Sequence, residues 1–139
     1  MTRPFRLTAQ CADEAHEQAA LFAWARSALV LRQYPALRFL AAIPNGLAAS
    51  SIGAARRMKE QGMTAGVPDL VLPVAAGGYH ALWIEMKRRT RGRVSAEQKC
   101  WLEYLNRAGY RAVVCGGWDA AREEILQYLS AVPAADTPF

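Results

Sequence analysis

The chain has 139 residues, 53% of them hydrophobic and 21% charged, with a formal net charge of +5. Such a length and composition suit one domain with one core and exclude disorder over most of the chain. The positive balance points to an anionic partner, most often nucleic acid, and says nothing about fold. Cys11, Cys100 and Cys115 are far apart and form no C-x-x-C, and His16 and His80 add no metal-ligand spacing. Neither a disulfide framework nor a zinc knuckle is indicated, and a reducing cytoplasm is the expected setting. The opening residues M-T-R-P-F-R-L-T-A-Q lack the apolar core of a signal peptide. No apolar run approaches the ~20 residues of a membrane span.

In chain order, the first expected element is a helix from Asp13 to about Arg32. Glu14, Gln18, Leu21, Ala25 and Ala28 form its stripe, Asp13 is its N-cap and Pro35 stops it. Leu37 to Ile43 reads as a short strand, followed by a Pro44-Asn45-Gly46 turn. Ser51 to Gln61 reads as a basic helix closed by Gly62. Leu70 to Val74 and His80 to Lys87 read as an antiparallel hairpin around Ala76-Gly77-Gly78, with Pro68 at its start. Arg88 to Val94 is an arginine-rich loop. Ser95, paired with Gln98 as a capping box, opens a helix to about Ala108 with Trp101, Leu102 and Leu105 as its apolar stripe. A strand over Arg111–Cys115 and a helix over Trp118–Leu129 complete a single domain, residues 1–130, with a flexible tail over 131–139. The expected fold is α/β, an α/β/α sandwich around a small mixed sheet in the order αβαββαβα.

Three charged residues stand out against these apolar strands. Alternation along a strand puts Glu85 and Lys87 on one face with Trp83, and Leu82, Ile84 and Met86 on the other. Taken alone, E-x-K is common on the solvated face of an edge strand, and an Asp after proline commonly caps a turn. Here Pro68-Asp69 at the start of one strand and Glu85-x-Lys87 at the end of its hairpin partner fall at the same end of the sheet. Two carboxylates there make a hard oxygen site for Mg²⁺ or Mn²⁺, and a nearby lysine can stabilise developing phosphate charge. This is the equipment for phosphodiester hydrolysis. It sets a condition on register. A simple Gly77-Gly78 two-residue turn pairs Asp69 with Met86 and sends the two carboxylates to opposite faces. An odd-length loop, a bulge or a distorted strand start is therefore expected.

Pro68-Asp69 followed by Glu85-x-Lys87 resembles the PD-(D/E)xK nuclease superfamily. The ordered set E-A-H-E-Q, I-P-N-G, G-M-T-A-G-V-P-D-L, W-I-E-M-K and S-A-E-Q-K-C-W resembles its VRR-NUC family, the virus-type replication–repair nucleases, from Glu14 to Trp101. The resemblance implies a restriction-endonuclease-like fold, with Asp69, Glu85 and the Met86 carbonyl as ligands of Mg²⁺ or Mn²⁺ and Lys87 as the catalytic lysine. It also implies that Glu14 reaches the metal directly or through water, and that Gln98 holds the lysine or a phosphate. Trp101 stands where the family more often has tyrosine. The residues themselves allow other roles. Glu14 could serve only the positive end of its helix, with Glu17 as the substitute; Gln98 could be only the partner of Ser95; Asn45 could be only a turn residue.

Beside such a site, the loop residues Arg88, Arg89, Arg91 and Arg93 become candidate phosphate contacts, with Arg56, Arg57 and Lys59 as a second patch. The expected activity is that of a metal-dependent endodeoxyribonuclease acting on branched DNA. Free-standing family domains of this length resemble dimeric Holliday-junction resolvases, which implies a homodimer and a role in DNA repair in a bacterial or phage setting. A monomeric flap or end nuclease, and a non-catalytic DNA-binding module of the same fold, are the alternatives.

Overall fold

The computed structural model describes residues 9–44 and 51–132. Its first helix begins earlier than expected, at Ala9, so Asp13 lies inside it and is not its N-cap. It also ends earlier. α1 spans Ala9–Ala25 and α2 spans Ala28–Gln33, where one continuous helix to Arg32 was expected. The break falls at Ser27, whose backbone is extended and whose hydroxyl donates to the Trp24 carbonyl at 2.9 Å. A serine that bonds the preceding turn offers the backbone an alternative to continuing the helix. Of the expected stripe Leu21 and Ala25 are fully buried, whereas Ala28 opens α2 and is exposed.

The expected strand over Leu37–Ile43 is mostly a 3₁₀ turn, Pro35–Phe39, and only Ala41–Ala42 form β1. Pro35 at its first positions presets the helical φ. Three residues per turn put Leu37 and Leu40 on one side, and both are buried. An apolar pair spaced by three reads as part of a strand run only until its period is counted. Asn45 and its turn lie outside the described residues. α3, Ile52–Glu60, follows the expectation, with the Ser51 hydroxyl accepting from Ala54 N.

The remaining elements are β2 (Leu70–Leu72), β3 (Leu82–Lys87), α4 (Ala96–Arg107), β4 (Arg111–Gly116) and α5 (Trp118–Leu129). Both hairpin strands are shorter than expected. With α1 and α2 separate, the order αβαββαβα gains a helix and becomes ααβαββαβα. The result is a mixed α/β fold whose four-stranded sheet runs β1-β2-β3-β4, antiparallel except for the parallel β3–β4 pair. Leu82, Ile84 and Met86 form one core with Leu21 and Ala25 of α1 and with Ala121, Ile125, Tyr128 and Leu129 of α5. α4 meets the other face, where Gln98 reaches Glu85. After α5, Val132 packs on the core, so the chain stays in contact two residues into the expected tail; 133–139 lie outside the described residues.

The hairpin resolves the register question with a bulge-like irregularity. Gly77-Gly78 does make a tight two-residue turn, with both φ positive and Ala76 opposite Tyr79. Deeper in, Leu72 pairs with Leu82 and Leu70 with Ile84. Between these pairings the β2 side has one residue more than the β3 side. It is absorbed at Pro73, where Val74 N donates to the Leu72 carbonyl at 2.9 Å, an i to i+2 turn. Pro73 has no N–H to give to a ladder, so the ladder loses little there. Extended by one step, this register places Asp69 opposite Glu85 and on its face.

Candidate active site

Each half of the site is held by backbone. Asp69 directly precedes β2, its carbonyl accepting from Ile43 N at 2.7 Å and its Oδ2 accepting from Met86 N at 2.8 Å. The N–H and C=O of a strand residue leave by the same edge, so the Met86 carbonyl is also directed to the Asp69 side. Gly66 lets the G-V-P-D segment approach α4. Its φ is +90°, and a Cβ there would lie 2.5 Å from the Glu97 carbonyl carbon. The same packing brings Gln98 to the site.

Glu85 is buried, at 2% exposure, in the central strand β3. Its Oε1 accepts from Gln98 Nε2 at 2.7 Å and lies 3.4 Å from Lys87 Nζ. Among the described residues its buried Oε2 finds no hydrogen-bond partner of good geometry. Burial, and then the charge of Asp69, push its pKa up to about 8, against the opposing pull of Lys87. A buried carboxylate beside a second carboxylate is short of positive charge, and one lysine does not supply enough. Lys87 is buried too, at 9% exposure, and its carbonyl accepts from Gly117 N at 2.9 Å. Gln98 completes the capping box with Ser95, and its side-chain amide donates to Glu85 rather than bonding Lys87.

Glu14 does not join this cluster directly. It lines a cleft of about 500 Å³ with Gln18, Asp69 and Met86, facing the site from α1. Among the described residues no three His, Cys, Asp or Glu side chains converge as a metal-binding group.

Glu17, the substitute considered for Glu14, is committed elsewhere. Its Oε2 accepts from Trp118 N at 2.6 Å and its Oε1 pairs with Arg89 Nε at 2.9 Å. Arg89 also bonds Asp119 at 3.0 Å. This cluster caps α5, whose N-cap Gly117 has no side chain to do so, and ties α1 to the loop beyond Lys87. The glycine before Trp118-Asp119 was the available signal that a distant side chain must serve that helix end. Arg89 is thus engaged by two carboxylates. Arg88 folds back to donate to the Arg91 carbonyl, and Arg56 pairs with Glu60. Arg91, Arg93, Arg57 and Lys59 are exposed.

Asp69 directly precedes β2, and Glu85 and Lys87 lie in the second half of β3, on a mixed sheet with helices packed against it. The sequence model of the VRR-NUC domain matches residues 9–119, and the chain belongs to that family. A solved structure described as a VRR_NUC domain protein is similar at a TM-score of 0.70 and 30% identity, covering 85% of this chain and 88% of that one. No curated protein matches the sequence. No described helix is long and apolar enough to cross a membrane.

Proposed function

We propose that the chain is a divalent-metal-dependent endodeoxyribonuclease that cuts structured DNA, with four-way junctions as its substrate and a homodimer as its active form. The α/β/α sandwich of restriction endonucleases is the fold this reading assumes. The observation that carries it is the Asp69–Glu85 pair with Lys87 at 3.4 Å from Glu85. The donor set fits a hard cation: two carboxylates, one with a buried oxygen that has no hydrogen-bond partner among the described residues, and the Met86 carbonyl directed to the same side. Mg²⁺ or Mn²⁺ held by Asp69, Glu85 and Met86, with Glu14 reaching it through water, would polarise the scissile phosphodiester.

The protein's own groups do the rest. Gln98 orients Glu85 and keeps its Oε1 in place. Lys87, held at its carbonyl by Gly117, places an ammonium beside the reacting phosphate, where charge develops. Arg91 and Arg93, exposed just beyond it, would make phosphate contacts that position the DNA without reading its sequence. Cutting both strands of a junction calls for two sites, and a two-fold axis supplies them from one chain.

The test is a cleavage panel of labelled junction, flap and linear duplex with Mg²⁺, Mn²⁺ or EDTA, beside a solution mass. Asp69→Asn and Lys87→Ala should lose cleavage while keeping their fold and DNA binding. Wild-type rates in either variant would end the assignment. A mass near the 15.3 kDa of a monomer, at concentrations where junctions are cut, would refute the dimer.

A further inference from the structure

The cleft that contains Asp69 and Met86 continues along α1 to Phe22 and Arg26, and neither residue has a part in the chemistry above. Between the two ends its walls are the methyl groups of Ala15, Ala19 and Ala42 and the side-chain amide of Gln18. Its volume of about 500 Å³ lies in the range of sites that take a small flat ligand. The Arg26 guanidinium carbon sits 4.7 Å from the centroid of the Phe22 ring, and that ring packs in turn on the core. A guanidinium plane backed by an aromatic ring is a stacking platform, and nucleobases stack on both kinds of surface.

The rest of the cleft decides which part of a DNA strand it takes. Away from the Asp69 end the alanine methyls offer no donors to phosphate oxygens, and the Gln18 amide can bond the edge of a base as readily as a phosphate. A base has an apolar face that suits such walls. In a duplex that face is covered by neighbouring bases, so only an unpaired base can present it.

We propose that Phe22 and Arg26 form a subsite for an unpaired nucleobase of the strand being cut. The proposal rests on the nuclease reading and adds the feature by which that site selects its substrate. Along α1, Arg26 lies about 18 Å from Glu14 at 1.5 Å per residue, so the held base belongs to a nucleotide a short distance from the cut. Stacking accepts any base, so the selection is for local unpairing and not for sequence.

The experiment measures equilibrium binding of the wild-type protein in EDTA to flap DNA and to four-way junctions. Each carries a single abasic nucleotide, moved through the positions beside the branch point. At one position, removing the base should weaken binding roughly 5- to 150-fold, the range expected for one base stacked on a side chain. Arg26→Gln, Arg26→Lys and Phe22→Leu should bind the intact and abasic DNAs equally. Arg26 is exposed, so its variants put no buried packing at risk, and melting curves check Phe22→Leu. A base effect in the flap series or the junction series supports the subsite and identifies its source; none in either overturns it. Full base dependence retained by Arg26→Lys also overturns it, because a charge alone would then suffice. Failure of the wild type to cut any DNA with Mg²⁺ or Mn²⁺ would sink the nuclease reading, while the binding series would still decide the subsite.

Discussion

Glu85 should make the metal-free protein lose stability as pH rises, and Glu85→Gln should remove that loss. The folded-state pKa of about 8 stands above the ordinary 4.5, raised first by burial and then by Asp69. The folded protein therefore holds a proton that the unfolded chain releases between these values. The resulting stabilisation is fully present below about pH 4.5 and is lost as pH rises through 8. At 1.36 kcal/mol per pKa unit, the loss between pH 6 and pH 9 comes to roughly 2–3 kcal/mol. For a domain of this size that is about 9 °C in Tm. The buried thiol of Cys115 is pushed up to about 11 and titrates above this window. The assay is a set of melting curves in EDTA across pH 5 to 9. Wild type should decline and Glu85→Gln should stay nearly flat, since glutamine keeps the shape and can still accept from Gln98. Superimposable profiles would refute the account of the buried carboxylate pair. Added Mn²⁺ should restore the wild type at pH 9 and leave Glu85→Gln less affected.

Glu17→Ala should cost about 1–2 kcal/mol, because it removes the acceptor for Trp118 N at the start of α5. Glu17→Gln should recover most of that loss, since the ion pair with half-exposed Arg89 adds little; equal melting temperatures for wild type and Glu17→Ala would contradict it. Gly66→Ala should destabilise by about 2 kcal/mol or more and slow cleavage, because its positive φ and the Glu97 backbone leave no room for a Cβ. Denaturant melts and single-turnover cleavage rates check both effects, and a variant as stable as wild type would show that the segment has another packing. Arg91→Ala should weaken DNA binding and reduce its salt dependence, whereas Arg89→Ala should lower Tm with a smaller effect on the salt slope; binding isotherms at several salt concentrations separate the two.

The local sequence determined the elements whose signals lie within a few residues. The Ser95–Gln98 capping box and the Ser51 start of α3 appear in the structure as the pattern requires, and Leu82, Ile84 and Met86 join one core. It also marked Asp69, Glu85 and Lys87, because a charge inside an apolar strand run is conspicuous. What it misassigned was local competition. Ser27 bonding its own preceding turn splits the first helix, and a spacing of three between Leu37 and Leu40 turns an expected strand into a 3₁₀ turn.

Tertiary structure decided which charges meet. Pattern alone could state that the hairpin needed an odd step but not where it would fall. The irregularity at Pro73 depends on how Leu70 and Leu72 must register with Ile84 and Leu82 to share one core. Glu14 and Glu17 are nearly equivalent on paper. Packing of α1 against α5 sends Glu17 to Trp118 and Arg89, and leaves Glu14 facing the cleft that holds Asp69. The same packing takes Arg89 out of a basic run that reads as uniform and sets Phe22 and Arg26 at the far end of that cleft. Such assignments depend on contacts between residues distant in the chain, and short-range periodicity carries no information about them.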